Sequence, residues 1–197
     1  AMTDFAFMEE KKAKLFVNSP NALEGNEISR CDTSAAAFQS EETGMVDMVA
    51  DEASILAQIR QLVSILPANN ADYALTDCAD DLNRACAQIA GCVGDTAIAL
   101  SQIADDGLFV EVKQDYAKDM VAGFMRLNGA TVGAVANRTE VYDAEGEVTD
   151  KFDAVLSARG AEKAAEFVTF CDAFDIPVLS LTNVTGFAAT KCAEKRM

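Results

Sequence analysis

The chain has 197 residues, half of them hydrophobic, and no histidine. That is enough apolar material for one sizeable domain or two small ones, and the missing imidazole excludes Ser-His-Asp triads and His-ligated metals within the chain. The formal charge of -16 argues against nucleic acid or anionic lipid as a partner, since the longest basic cluster is Lys11, Lys12 and Lys14.

In chain order, "DFAFM" (Asp4–Met8) alternates as a short strand would, and "AKLFVN" (Ala13–Asn18) reads as a second strand closed by Pro20. A loop-like stretch follows, with a weak helix over Ala35–Glu42, and then "MVDMV" (Met45–Val49) as a strand. Asp51–Leu66 is the clearest helix of this half. Ile55, Leu56, Ile59, Leu62, Val63 and Leu66 form one apolar stripe, Asp51 is a suitable N-cap, and Pro67 ends the run. From Pro67 to Arg84 turn residues dominate, which predicts a linker between two packed units.

Asp95–Ala104 reads as a short capped helix and Leu108–Val112 as an extended segment. Asn128–Gly129, between "MVAGFMRL" and "ATVGAVAN", is a strong hairpin signal. Arg159–Phe174 is helical, with Ala164, Phe167, Val168, Cys171 and Phe174 on one face. "PVLSLTN", opening at Pro177, reads as a strand buried on both faces. It runs through the turn "NVTGF" into "AATKCAEKRM", the beginning of a helix. This half is therefore α/β.

Few residues announce chemistry. The six cysteines contain no C-x-x-C pair, so a zinc ribbon is not expected, and reduced cytosolic thiols are the plain reading. No run of about eighteen apolar residues is present to span a membrane, and the acidic start "AMTDFAFMEE" lacks a signal peptide's positive charge. A cytoplasmic location is expected. Gly123, Gly129 and Gly133 make no dinucleotide fingerprint, and no P-loop occurs. The acidic pairs Glu41–Glu42, Asp80–Asp81 and Asp105–Asp106 read as solvated surface, and Tyr116 as a phenol at a core edge. The turn at Gly186 is the best candidate site. A glycine after a buried strand lets a ligand approach the backbone, and the next helix offers N–H groups to an anion. A plain strand-to-helix turn accounts for the same residues.

Several stretches, in order along the chain, resemble the carboxyltransferase subunits of biotin-dependent acyl-CoA carboxylases and decarboxylases. These are the family of the propionyl-CoA carboxylase β subunit and the methylmalonyl-CoA decarboxylase α subunit. The stretches are "AMTDFAFM" with "LFVNSPNALEGNE", "ETGMVDMV" with "IRQLVSILPANN", "LFVEVKQDYAKDMVAGFMRLNGATVGAVAN", and "AEKAAEFVTFCDAFDIPVLSLTNVTGF". The resemblance implies an α/β, crotonase-like (ClpP/crotonase) fold used twice, of which this chain holds parts of two tandem half-units. Residues 1–70 would complete an acyl-CoA-side half, residues 71–107 would form a linker and helix, and residues 108–197 would open a carboxybiotin-side half.

The same resemblance implies a CoA thioester substrate, biotin as carboxybiotin on a partner biotin carboxyl carrier protein, and a homo-oligomer without membrane insertion. Carboxyl transfer in such a site relies on backbone N–H groups that stabilise developing anions, so a chain without histidine is compatible with it. Carried over to this sequence, Gly186 and Phe187 lie in the loop that approaches biotin, and Asn137 lies near the same ligand edge. No catalytic side chain and no metal ligand is implied.

Family members are more than twice as long. Both glycine-rich oxyanion turns are expected outside this stretch, and the isolated chain is expected to be inactive. "NVTGF" stands where many members have "DVPGF", and "SARGAEKAA" replaces an acidic run. Two other readings stay open: a non-catalytic structural or interaction fragment, and a crotonase-type hydratase.

Overall fold

The computed structural model describes residues 3–16, 31–73, 75–92 and 94–196. Its contacts divide the chain into two units, Ala1–Gln61 with Lys113–Ala117, and Leu62–Val112 with Lys118–Met197.

In the first unit β1 (Phe7–Glu9) pairs in parallel with β2 (Met48–Ala50), in the register Phe7↔Met48 and Glu9↔Ala50. Asp47 fixes the entry to this pair, its carboxylate accepting the Ala6 N–H at 2.8 Å. Both strands start later than the alternation suggests, because only these residues find a ladder partner. Helix α1 (Ala36–Glu41) buries Ala36 beside Met8 and Val46. The strand expected over Ala13–Asn18 appears as a single bridge, Lys14↔Ala35, and its Val17 and Asn18 lie outside the described residues.

Tyr116 is buried, its ring packed where a Cβ on Gly44 would stand, 2.7 Å from Cδ1. Gly44 has φ +64°, so both space and backbone demand glycine there. Helix α2 (Glu52–Ile65) follows, and Asp51 caps it by accepting the N–H groups of Ala53 (2.9 Å) and Ser54 (3.2 Å). Of its apolar stripe Leu62 is buried, while Leu56 and Val63 remain 55% and 69% exposed.

The second unit is built on a four-stranded sheet in the order β3-β4-β5-β8. Strands β3 (Phe109–Val112), β4 (Met120–Leu127) and β5 (Ala130–Asn137) run antiparallel in turn. β8 (Val178–Leu181) joins β5 in parallel, Gly133↔Val178 to Ala136↔Leu181. Between β5 and β8 the chain makes a small antiparallel pair, β6 (Glu140–Tyr142) with β7 (Val148–Lys151), and then helix α4 (Ala158–Ala173). A final helix, α5 (Lys191–Arg196), follows the loop after β8.

Alternation along the strands sends side chains to two different helices. Val121, Met125, Ala134 and Ala136 pack against α3 (Thr96–Ile103) through Leu100 and Ala104. On the opposite face Phe124 meets Phe167 and Phe170 of α4, with ring centroids 4.8 and 5.7 Å away. A Cβ on Gly133 would stand 2.6 Å from Cys171 Sγ, so this glycine lets α4 settle close to β5. Burial there pushes the Cys171 thiol up to about 12.

β8 corrects an expectation. Its residues are half-buried or exposed, Val178 being 38% exposed. Leu179 and Leu181 pack on the α3 side while Val178 and Ser180 are exposed, so the run is covered on one face, and among the described residues it pairs along one edge only.

The predicted Asn128–Gly129 turn forms, with φ of +53° and +76° as a two-residue hairpin requires. The acids beside it are not merely solvated surface. Buried Asp105 accepts the N–H groups of Asn128 (3.0 Å) and Gly129 (2.7 Å). The Pro67–Arg84 stretch also docks here, Thr76 N donating to the Gly129 carbonyl at 3.0 Å. Arg84 reaches from it to the end of α3, donating to the carbonyls of Gln102 (2.8 Å) and Ala104 (2.9 Å).

Burial by itself would raise the Asp105 carboxyl, but the N–H bonds from Gly129 and Asn128, the Cys78 thiol and the Arg84 charge together hold the group below its ordinary range. A depressed folded value stabilises the fold above the unfolded value, and that contribution disappears as pH falls through the folded one. Asp105→Asn should therefore lower stability by about 1–3 kcal/mol at pH 7. It should also flatten the acid limb of the stability profile below about pH 4, as measured by urea unfolding at stepped pH.

Candidate functional site

The second unit contains a cavity of about 250 Å³ between α4 and the carboxyl ends of β5 and β8. Val135 of β5, Leu156 before α4, and Ala161 and Ala164 on α4 supply apolar walls. Asn137, Ser180 and Thr182 supply polar groups, and Val184 closes one side from the loop after β8. From α4 only the methyl groups of Ala161 and Ala164 border the space.

The loop Thr182–Ala188 is tied down on two sides. On one, Asn137 ends β5 and turns its carboxamide on the main chain of Asn183. Its Nδ2 donates to the Asn183 carbonyl at 2.9 Å, and its Oδ1 accepts the Asn183 N–H at 2.6 Å. On the other, Thr185 N donates to the Ala154 carbonyl (2.8 Å) and Leu156 N to that of Gly186 (2.9 Å). Ala188 N donates back to the Leu156 carbonyl (2.9 Å), so Phe187 and Leu156 form a parallel bridge.

Asn137 lines the cavity and is 8% exposed, its carboxamide engaged with Asn183. Gly186 sits at the turn with no atom within 4 Å of where a Cβ would be, and Phe187 projects outward, 68% exposed. The structure thus brings the three sequence-selected residues to one loop, with Asn137 in the cavity wall and Gly186 and Phe187 at the outer turn. Among the described residues no group of His, Cys, Asp and Glu is placed to hold a metal ion.

The carboxyl transferase domain pattern matches residues 1–196. The chain belongs to the carboxyl transferase domain family. It is 32% identical over 199 residues to the propionyl-CoA carboxylase beta chain of Roseobacter denitrificans, covering 95% of this chain and 37% of that protein. It is 29% identical over 199 residues to the methylmalonyl-CoA decarboxylase subunit alpha of Propionigenium modestum, with the same coverage. Among solved structures, the hexameric transcarboxylase 12S with methylmalonyl-coenzyme A and methylmalonic acid bound superposes with a TM-score of 0.81. That match has 31% identity and covers 98% of this chain and 38% of the other. The chain thus spans a little over a third of the length of these relatives, and its mixed α/β architecture is a carboxyltransferase fold over that part. No helix among the described residues is long and apolar enough to cross a membrane.

Reasoning from sequence missed the support beneath this carboxyltransferase loop. Arg138, next to Asn137, is 5% exposed. Its Nε donates to the Lys118 carbonyl at 2.7 Å, and its two terminal nitrogens lie 3.5 Å from Asp95 and Glu111. Asp95 also caps α3, accepting the Ala97 N–H at 3.1 Å. Asp119 links the same end of the sheet to α4. Its main-chain carbonyl accepts the Arg138 N–H (2.8 Å), and its carboxylate accepts the hydroxyl of Ser157, which caps α4. The capping aspartate is legible in "DTAIALSQIA"; its pairing with an arginine over forty positions later is not.

Removing one member of a buried charge group leaves the others desolvated without compensation. Arg138→Ala should cost about 3–5 kcal/mol by denaturant unfolding. Adding Asp95→Asn and Glu111→Gln should recover part of that loss, since no uncompensated charge then stays buried.

Proposed function

We propose that the chain is a central part of a carboxyltransferase that moves a carboxyl group between carboxybiotin and an acyl-CoA thioester of the propionyl or methylmalonyl kind. The observation that carries this reading is the cavity lining. In a chain of formal charge -16, the cavity is lined without a single Asp, Glu, Lys or Arg. The ureido ring of biotin is itself neutral, with an apolar ring body and an amide-like edge that seeks N–H and C=O partners, and the carboxylate being transferred is the only charge on the carboxylated head. A small apolar slot with Ser180 and Thr182 at its rim suits such a group. The phosphates of coenzyme A would call for Arg or Lys side chains there, and neither lines the cavity.

On this reading residues 108–197 open the carboxybiotin-side half, residues 71–107 connect, and residues 1–70 belong to the acyl-CoA side, both halves following a crotonase-like plan. Carboxybiotin, delivered by a biotin carboxyl carrier protein, brings the carboxyl group. This chain's own residues would seat the ureido head and shield it from water, with the loop carrying Gly186 and Phe187 held by its bonds to Asn137, Ala154 and Leu156. Backbone N–H groups, not side-chain acids or bases, are the stabilising elements of such a transfer. A cytoplasmic homo-oligomer is part of the same proposal.

A second reading, a non-catalytic interaction segment, is favoured by the outer edge of β8, which has no strand partner among the described residues. The two separate in solution. Biocytin is expected to shift the backbone amide resonances of Asn137 and Asn183–Ala188, and coenzyme A is expected to leave them unchanged. Shifts absent there, or displaced by coenzyme A, would overturn the carboxybiotin assignment. Turnover by the 197-residue chain alone, with carboxybiotin and propionyl-CoA, would dispose of the interaction-segment reading.

A further inference from the structure

We propose that Asn137 is a positioning residue: its carboxamide acts as an extra rung of the β5–β8 ladder and holds the Asn183–Phe187 loop in place, without itself contacting the ligand. The inference rests on the carboxybiotin reading of this cavity and refines it.

The ladder between β5 and β8 ends at Ala136↔Leu181. Beyond that point the Arg138 N–H continues the ladder to β4, donating to the Asp119 carbonyl at 2.8 Å, and the Asn137 carbonyl accepts the Thr96 hydroxyl at 3.1 Å. The chain after β8 would lose its partner there. Instead the Asn137 side chain offers one donor and one acceptor in the arrangement of a peptide group, and Asn183 answers with its own N–H and C=O at 2.6 and 2.9 Å. Both bonds use main-chain atoms of Asn183, so they do not depend on which side chain stands at that position. Nδ2 and Oδ1 are both directed at Asn183 and the residue is 8% exposed, so one donor and one acceptor of the carboxamide are committed to the loop. The bonds to Ala154 and Leu156 then hold the far side of the loop. Gly186 and Phe187 are thereby presented from a frame fixed at both ends.

Aspartate is nearly isosteric with asparagine but, when ionised, has no proton to give. In Asn137→Asp the carboxylate can still accept the Asn183 N–H, while its second oxygen faces the Asn183 carbonyl, lone pair against lone pair. Protonation restores an O–H donor to that carbonyl. Asn137→Ala can do neither.

The test is amide hydrogen exchange on the 197-residue chain, corrected for intrinsic rates, together with biocytin titration. At pH 7 both variants should lose about tenfold in protection at Leu156, Asn183, Thr185 and Ala188, with β4 and β5 amides unchanged. Between about pH 6 and 4 protection should return in Asn137→Asp and not in Asn137→Ala. Unchanged exchange in both variants, or equal recovery in both, overturns the proposal. So does a fall in biocytin affinity with the loop still protected, since Asn137 would then be touching the ligand. A loosened loop with unchanged biocytin affinity upholds Asn137 as a positioning residue and removes the carboxybiotin reading instead.

Discussion

The β4–β5 hairpin is the constraint on which the second unit depends. Its register runs without a break from Leu127↔Ala130 to Met120↔Asn137, and each end is fixed by a different chemical device. At the turn, Asp105 gathers the N–H groups of Asn128 and Gly129, which the tight reversal leaves without ladder partners. At the open end, Asn137 and Arg138 commit the chain in opposite directions. A slip of one residue would carry Val121 and Met125 to the α4 face and Phe124 to the α3 face, exchanging two cores of different shape. The phenylalanine cluster on one side and the smaller Ala–Leu–Met core on the other thus enforce the same register that the turn selects.

The distribution of charge follows from the same economy. A chain with twice as many acids as bases has few cations to spare, and two of its arginines are turned inward. Arg84 satisfies carbonyls at the end of α3, and Arg138 joins Asp95 and Glu111 at the end of β5. Neither is left to attract a polyanion. The cavity between α4 and the ends of β5 and β8 is lined by uncharged residues in a chain that carries a strong formal negative charge.

Much of this was legible in the residues. Helix α2 follows from apolar spacing between a capping Asp and Pro67, α3 from its capped run, α4 from one apolar face, and the hairpin from Asn-Gly alone. These are local signals, in which cause and effect lie within a few positions. What the sequence concealed is non-local. "PVLSL" has the composition of a central strand, yet its exposure is set by what lies alongside, which composition does not encode. Asp105 resembles any other member of an acidic pair until the fold brings the hairpin turn within hydrogen-bonding reach. Of the candidate site, the turn at Gly186 was visible as a strand-to-helix junction. That Asn137 would meet Asn183 across 46 positions was not.

The two neighbours at the end of β5 explain why a side chain, and not another strand residue, completes the ladder. Arg138 commits its N–H to the Asp119 carbonyl and its guanidinium to a site lined by Asp95, Glu111 and the Lys118 carbonyl. The Asn137 carbonyl is taken by the Thr96 hydroxyl. An amide side chain supplies the further rung because it reproduces the donor–acceptor spacing of a peptide unit. Serine or threonine would reach Asn183 with one hydroxyl and satisfy one bond at a time, and a glutamine would overshoot by a methylene. Asparagine is therefore the residue that physical chemistry selects where a strand must end and its neighbour must remain held.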